Sequence, residues 1–165
     1  MTNPQQAGQA LEDALDLLHI LYRRDKRATL WHNGVQSIHG RGGAIIQVDS
    51  LPDYGGVLSS LGARAVMFDA KHTQDDTLRY RHPKDRLHQL AQLWDVHQAG
   101  GVAFVLVCYK LVRAWVVWPD EVWANHGPYS IILRDGEYAT WEATEVTMDE
   151  NGLPDWLSTV IEAEA

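Results

Sequence analysis

The sequence predicts a single α/β domain spanning residues 1–165, with a mixed central β-sheet flanked by helices on both faces. Three observations carry that prediction. Residues 8–24 place apolar side chains at helical spacing. The run Gly101-Val102-Ala103-Phe104-Val105-Leu106-Val107 is wholly apolar, as a central strand covered on both faces must be. The order of elements along the chain is helix, strands, helix, strand, strands, which no all-α or all-β architecture produces. A length of 165 residues suits one domain with a sizeable core.

Each element has its own local cause. Leu11, Leu15, Leu18 and Tyr22, joined by Ala14 and Leu21, form the buried stripe of a helix over residues 8–24. Ala28-Thr29-Leu30-Trp31-His32 reads as a short strand and Ala44-Ile45-Ile46-Gln47-Val48 as a second. Between them Gly34, Gly40, Gly42 and Gly43 accompany His32, His39 and Arg41 in a glycine-rich hairpin segment. Gly55-Gly56-Val57-Leu58 can pair with Ala65-Val66-Met67-Phe68 through the turn-like Ser59-Ser60-Leu61-Gly62. After the polar loop Gln74-Asp75-Asp76-Thr77, Pro83 suits the start of a helix reaching about Gln98, with Leu87, Leu90, Ala91 and Trp94 as its inner stripe. Gly100-Gly101 ends that helix by allowing left-handed backbone. Ala114-Trp115-Val116-Val117-Trp118 and Tyr129-Ser130-Ile131-Ile132-Leu133 supply further strands, and residues 155–162 a terminal helix. The expected core covers about residues 8–133, with an acidic C-terminal segment over about 134–165.

Composition excludes several classes. The chain has no run of eighteen apolar residues and a polar N-terminus, so a membrane span or secretory signal is not expected, and a cytoplasmic location is. The single cysteine, Cys108, lies inside an apolar run and reads as a buried core thiol; the lack of a disulfide framework fits a reducing compartment. None of the eight histidines shows H-E-x-x-H spacing, which argues against a dedicated zinc site. The seven tryptophans mostly occupy core or subunit-interface spacing in the second half. No phosphate-binding glycine loop is present, so nucleotide hydrolysis is unsupported. Net charge is −8, but residues 1–119 carry +2 and residues 120–165 carry −10. Two basic clusters, Arg23-Arg24-Lys26-Arg27 and Arg79-Arg81-Lys84-Arg86, fit either phosphate contacts or solvated helix ends.

The chemistry-bearing pattern is Leu51-Pro52-Asp53 followed by Asp69-Ala70-Lys71. Side chains alternate along a strand, so Asp69 and Lys71 share one face and Ala70 takes the other. The hairpin predicted above returns Asp53 to the neighbourhood of Asp69. Two anionic oxygen donors at one sheet end suit a hard cation such as Mg²⁺, with Mn²⁺ as a substitute, and a nearby lysine can orient or activate a water.

This pattern resembles the P-D…(D/E)-x-K core of the restriction-endonuclease-like nucleases. With Asp53-Tyr54-Gly55-Gly56-Val57, Phe68-Asp69-Ala70-Lys71-His72-Thr73, His88-Gln89 and Gly100-Gly101-Val102-Ala103-Phe104-Val105 in order, the chain is similar to the RecU-type Holliday junction resolvases from about Gly8 to about Trp123. The resemblance implies a restriction-endonuclease-like fold. It also implies Mg²⁺-dependent resolution of four-way DNA junctions by paired phosphodiester hydrolysis, with a 5′-phosphate product. The partners it implies are branched DNA and a second copy of the chain in a homodimer, inside a bacterial cell or phage-infected host. Asp53 and Asp69 become metal ligands, with the Ala70 carbonyl as a third, and Lys71 positions the attacking water. Glu12 is either a second-metal ligand or a helix-flank carboxylate facing water. Gln89 either orients the scissile phosphate or a water, or is a plain surface glutamine. Arg24, Lys26, Arg27, Arg41, Arg79, Arg81 and Lys84 are the candidate DNA contacts. The glycine-rich 34–43 segment corresponds in position to a stalk that enters the junction centre, or is a simple hairpin. Two other readings remain: a nuclease of the same fold with another substrate, and a catalytically silent DNA-binding protein.

Overall fold

The computed structural model describes residues 4–34, 37–39, 45–47, 51–75, 78–121, 130–132 and 143–165. Helix α1 (Pro4–Arg24) leads into β1 (Ala28–His32), and the hairpin strands β2 (Ser37–His39) and β3 (Ile45–Gln47) follow. Then come β4 (Tyr54–Leu58), a 3₁₀ turn at Ser59–Leu61, and the long β5 (Arg64–Thr73). β6 (Arg79–Arg81), a second 3₁₀ turn at Lys84–Arg86 and α2 (Leu87–Gln98) precede β7 (Val102–Tyr109) and β8 (Arg113–Val117). β9 (Ser130–Ile132), β10 (Ala143–Val146) and α3 (Trp156–Glu164) complete the described elements.

The main sheet has six strands in the order β1-β4-β5-β7-β8-β10. Only β5 and β7 pair in parallel, so the sheet is mixed, as expected. Alternation along β7 sorts its side chains to two cores. Val102, Phe104, Leu106 and Cys108 pack with the α1 stripe (Leu11, Leu15, Leu18, Tyr22) and with Trp156, Leu157 and Val160 of α3. Ala103, Val105 and Val107 pack on the other side with Leu90 and Leu93 of α2, Tyr80, Trp115 and Val117. Cys108 is buried, as its apolar surroundings predict. The chain is therefore an α/β domain with a mixed central sheet and helices on both faces, as expected. Among the described residues no helix is long and apolar enough to cross a membrane.

Several elements depart from the sequence reading. Helix α1 starts at Pro4, earlier than expected, and buries Ala7 on the same stripe. In α2 the buried residues are Gln89, Leu90 and Leu93, whereas Ala91 and Trp94 are only half-buried. Positions 93 and 94 both lie within one turn of Leu90, and the direction of approach to the sheet selected the first. The strand expected over 129–133 is β9, which pairs with β6 outside the main sheet. The strand beside β8 is β10, whose sequence Ala-Thr-Glu-Val carries no apolar run and pairs through its backbone at the sheet edge. Among the described residues β2 and β3 pair with each other alone, as a hairpin outside the main sheet. The acidic C-terminal part does not end the core near residue 133: Trp156, Leu157 and Val160 are fully buried against the sheet.

Gly56 has a packing reason. A side chain there would run into the Thr29 carbonyl and Leu30, so β1 lies this close to β4 only because the residue is glycine.

Candidate active site

The β4–β5 hairpin builds the site. Tyr54 pairs with Phe68, so the residue before β4, Asp53, meets Asp69. The Asp53 amide donates to Asp69 Oδ1 at 3.3 Å, and the Ala70 amide donates to Asp53 Oδ2 at 3.0 Å. Lys71 Nζ stands 3.2 Å from Asp53 Oδ2 and 2.5 Å from Asp69 Oδ2, bridging both carboxylates. Val66 and Phe68 belong to the α1-side core, with Ala70 packed against it, and Met67 packs against the α2-side core. Asp69 and Lys71 therefore leave the strand on the α2 side, on one face, as the alternation predicts. An extended residue points its N–H and C=O to the same side, so the Ala70 carbonyl also faces the Asp53 side.

The two carboxylates are not equivalent. Asp69 is fully buried, while the Asp53 side chain is 27 % exposed. Burial pushes the Asp69 carboxyl up to about 7; the Lys71 charge opposes this and the Asp53 charge adds to it. Burial also resists ionisation of Asp53, but the Lys71 charge and the bonds from Asp69, the Ala70 amide and Lys71 hold it below the usual carboxylate range. Among the described residues the one close partner of Asp69 Oδ2 is the Lys71 ammonium, held as an ion pair without an aligned hydrogen bond. A buried carboxylate oxygen with no aligned donor, next to a second carboxylate, is a donor set that accepts a hard cation.

Asp53, Ala70 and Lys71 line a cleft of about 480 Å³, in the size range of ligand sites, together with Glu12 and Arg86; Asp69 lies fully buried behind them. Glu12 is exposed on α1 and faces this cleft. It is not gathered with the aspartates, because no three His, Cys, Asp or Glu side chains form a metal-holding group among the described residues. Gln89 is buried rather than on the helix surface: it is 1 % exposed, and its Nε2 donates to the Leu51 carbonyl at 3.3 Å. It thereby ties α2 to the loop that delivers Asp53. Its Oε1 has no hydrogen-bond partner among the described residues.

The two basic clusters are placed very differently. β1 runs from Ala28, opposite Leu58, to His32, opposite Tyr54. Arg24, Lys26 and Arg27 precede Ala28 and lie at the far end of the sheet from Asp53. Along α1, Arg24 is ~18 Å from Glu12. Arg24 pairs with Asp25 at 2.9 Å, and Lys26 is exposed in a left-handed turn at φ 57°. Arg27 donates to Ser158 Oγ at 2.9 Å and lies over the Tyr22 ring, holding α3 to α1. That engagement places Arg27 at the α3 interface, at the far end of the sheet from the cleft. Arg41 lies outside the described residues. The second cluster is at the cleft end, because Thr73 Oγ1 at the close of β5 donates to the Arg79 carbonyl at 3.0 Å. Arg79 is half-buried, Arg81 and Lys84 are exposed, and Arg86, which the sequence reading noted in the cluster but did not select, lines the cleft itself.

One further feature escaped the sequence. His32, Tyr54, Phe68 and Phe104 stack successively at 4.8, 4.9 and 4.8 Å between ring centroids, across β1, β4, β5 and β7. This ladder stiffens the strands on either side of the two aspartates. Only strand order makes it, so nothing local in the sequence announces it.

A family model described as RecU, Recombination protein U, matches residues 6–121, a span that contains every residue of the cleft named above. No curated protein matches the chain.

Proposed function

The chain belongs to the RecU family of recombination proteins, and from that premise we propose that it is a Mg²⁺-dependent endonuclease that cuts four-way DNA junctions by paired nicks. The observation that carries the chemistry is the bridging of Asp53 and Asp69 by Lys71 at the wall of the cleft. Asp53, Asp69 and the Ala70 carbonyl are the donors for the ion, and Mg²⁺ characteristically uses one or two carboxylates and leaves its other positions to waters and substrate phosphate. The bound ion, or Mn²⁺ in its place, would supply Lewis-acid polarisation of the phosphoryl group.

The chain's own residues do the remaining work. Lys71 holds the attacking water and offsets charge developing on the phosphoryl oxygens. Glu12, exposed on α1 and lining the same cleft, orders water there. Gln89 keeps the Leu51-Pro52-Asp53 backbone in register with β5. Arg79, Arg81 and Lys84 meet phosphates flanking the cut, where lost counterions favour binding. Two symmetric nicks call for two sites related by a two-fold axis, hence a homodimer. The β2–β3 hairpin, free of the main sheet, is the element that reaches the junction centre.

The test compares an immobile four-way junction with a duplex of matched length, at one fixed salt concentration and with Mg²⁺ present. Symmetric cuts on opposing strands, with tighter binding to the junction, are expected. Equal affinity for both DNAs, or cuts on one strand alone, would assign the site to a nuclease of broader substrate. Cutting that persists after exhaustive chelation would remove the metal-dependent mechanism.

A further inference from the structure

We propose that Arg86 grips the phosphate at the cleavage site, and that a buried Tyr80–His82 hydrogen-bond chain sets its position; the proposal rests on the nuclease reading above. Arg86 lines the cleft with Asp53 and Lys71, yet among the described residues its guanidinium makes no hydrogen bond or ion pair. The contrast with other arginines is direct. Arg24, Arg64 and Arg113 are each held by a carboxylate, and Arg27 by Ser158 and Asp155. Lys71 already bridges the two aspartates, and neither they nor the neighbouring Asp85 pairs with Arg86 among the described residues. A planar guanidinium offers a fork of donors that matches two phosphate oxygens at once. Arg86 also stands at the start of α2, a helix of 12 residues whose first turn no side chain caps. Its amide dipoles favour an anion at the same place.

The Arg86 backbone is fixed from beneath. His82 Nε2 is 3.0 Å from the Arg86 carbonyl, and His82 Nδ1 is 2.8 Å from Tyr80 Oη. A carbonyl only accepts, so Nε2 carries the hydrogen, and Nδ1 accepts from the tyrosine hydroxyl. Both rings are buried, at 3 % exposure each. The chain thus locks the turn from Pro83 to Arg86 and leaves only the guanidinium free to meet substrate. His82 is a positioning residue for Arg86.

The experiment uses the full chain with Arg86→Ala and Arg86→Lys. Junction binding is measured in Ca²⁺ over a salt series, and single-turnover cleavage in Mg²⁺ at saturating protein. For Arg86→Ala, cleavage should fall ~10²-fold, the scale for losing one preorganised charge-stabilising group. The slope of log affinity against log salt should shrink by ~0.9, the signature of one lost phosphate contact. Arg86→Lys should restore the salt slope and part of the rate. His82→Phe should lower the rate in the Arg86 protein but have little further effect in Arg86→Ala, a non-additivity that general destabilisation would not give. Wild-type cleavage and an unchanged salt slope in Arg86→Ala overturn the proposal, as does a rate loss that vanishes at saturating protein. If the unsubstituted protein cuts no DNA, the nuclease reading itself falls, and the salt slope of Arg86→Ala still decides whether Arg86 holds a phosphate.

Discussion

At the scale of single residues, Asp69 and Lys71 are coupled but separable. Asp69→Asn removes a charged donor, so both Mg²⁺ affinity and cleavage should fall. Lys71→Ala should leave Mg²⁺ affinity largely intact while cleavage drops by at least ~10²-fold. Titration calorimetry with Mg²⁺ beside a cleavage assay separates the two effects, and near-normal turnover in either folded variant would contradict the site. A second prediction follows from burial. The Asp69 carboxyl is raised from its unfolded value of 3.8 to about 7. A raised carboxyl gives stability that is present at low pH and is lost as pH rises through that window. Asp69→Asn should therefore raise the thermal midpoint of the chelator-treated protein at pH 8 and change it little at pH 4. A lower midpoint at pH 8 would show that the Lys71 attraction outweighs the burial cost.

At the scale of elements, two contacts hold the scaffold in register. Gln89 joins α2 to the Leu51 carbonyl, so Gln89→Ala should loosen the loop before Asp53. Cleavage should fall ~10-fold or more, a loss set by misplacement rather than by chemistry. Faster amide hydrogen exchange in β4, with α1 unchanged, would locate the effect. Helix α3 is docked through Asp155, whose carboxylate accepts from Tyr22 Oη at 2.7 Å and from the Ser158 amide and hydroxyl at 3.4 and 2.6 Å. Asp155→Ala removes a helix cap and the tyrosine's acceptor together. A loss of ~1–3 kcal/mol in denaturant titration is expected from the cap and the buried hydroxyl. A change within ~0.5 kcal/mol would show that apolar burial of Trp156 alone seats the helix.

At the scale of the whole molecule, pH stability is governed by two buried histidines and by Asp69. Burial lowers His19 to about 4, with His32 adding to the effect. Burial likewise lowers His82 to about 4, Lys71 and Arg86 reinforcing it against the Arg86 carbonyl bond and Asp85. Between about 6.5 and 4 the unfolded chain binds protons at both histidines that the native protein refuses. Each removes ~1.4 kcal/mol per pH unit of acidification. Asp69 acts with the opposite sign over much of that window, while His72, also lowered by burial, acts with the two histidines. The thermal midpoint of the cation-free protein should fall between pH 6.5 and 4.5, and a midpoint that rises throughout would mean that the carboxylate dominates.

The sequence by itself determined the chemistry and the frame that carries it. The spacing of Asp53, Asp69 and Lys71 is local to one hairpin, and the alternation of a strand then fixes which side chains share a face. The α1 stripe and the apolar β7 run are equally local, since periodicity and burial on two faces leave direct marks on residue type. Tertiary structure alone decided the rest. The buried role of Gln89, the aromatic ladder from His32 to Phe104, the placing of Arg86 in the cleft and the removal of Arg27 to the α3 interface all join residues far apart in the chain. β10 completes the sheet at the edge beside β8, although its four residues carry no apolar run and only Thr144 and Val146 favour a strand. The sequence marked the C-terminal part by its acidic charge and a terminal helix over residues 155–162, and set the core's end near residue 133. Trp156, Leu157 and Val160 nevertheless sit on one helix face, and only the sheet opposite them made that face part of the core.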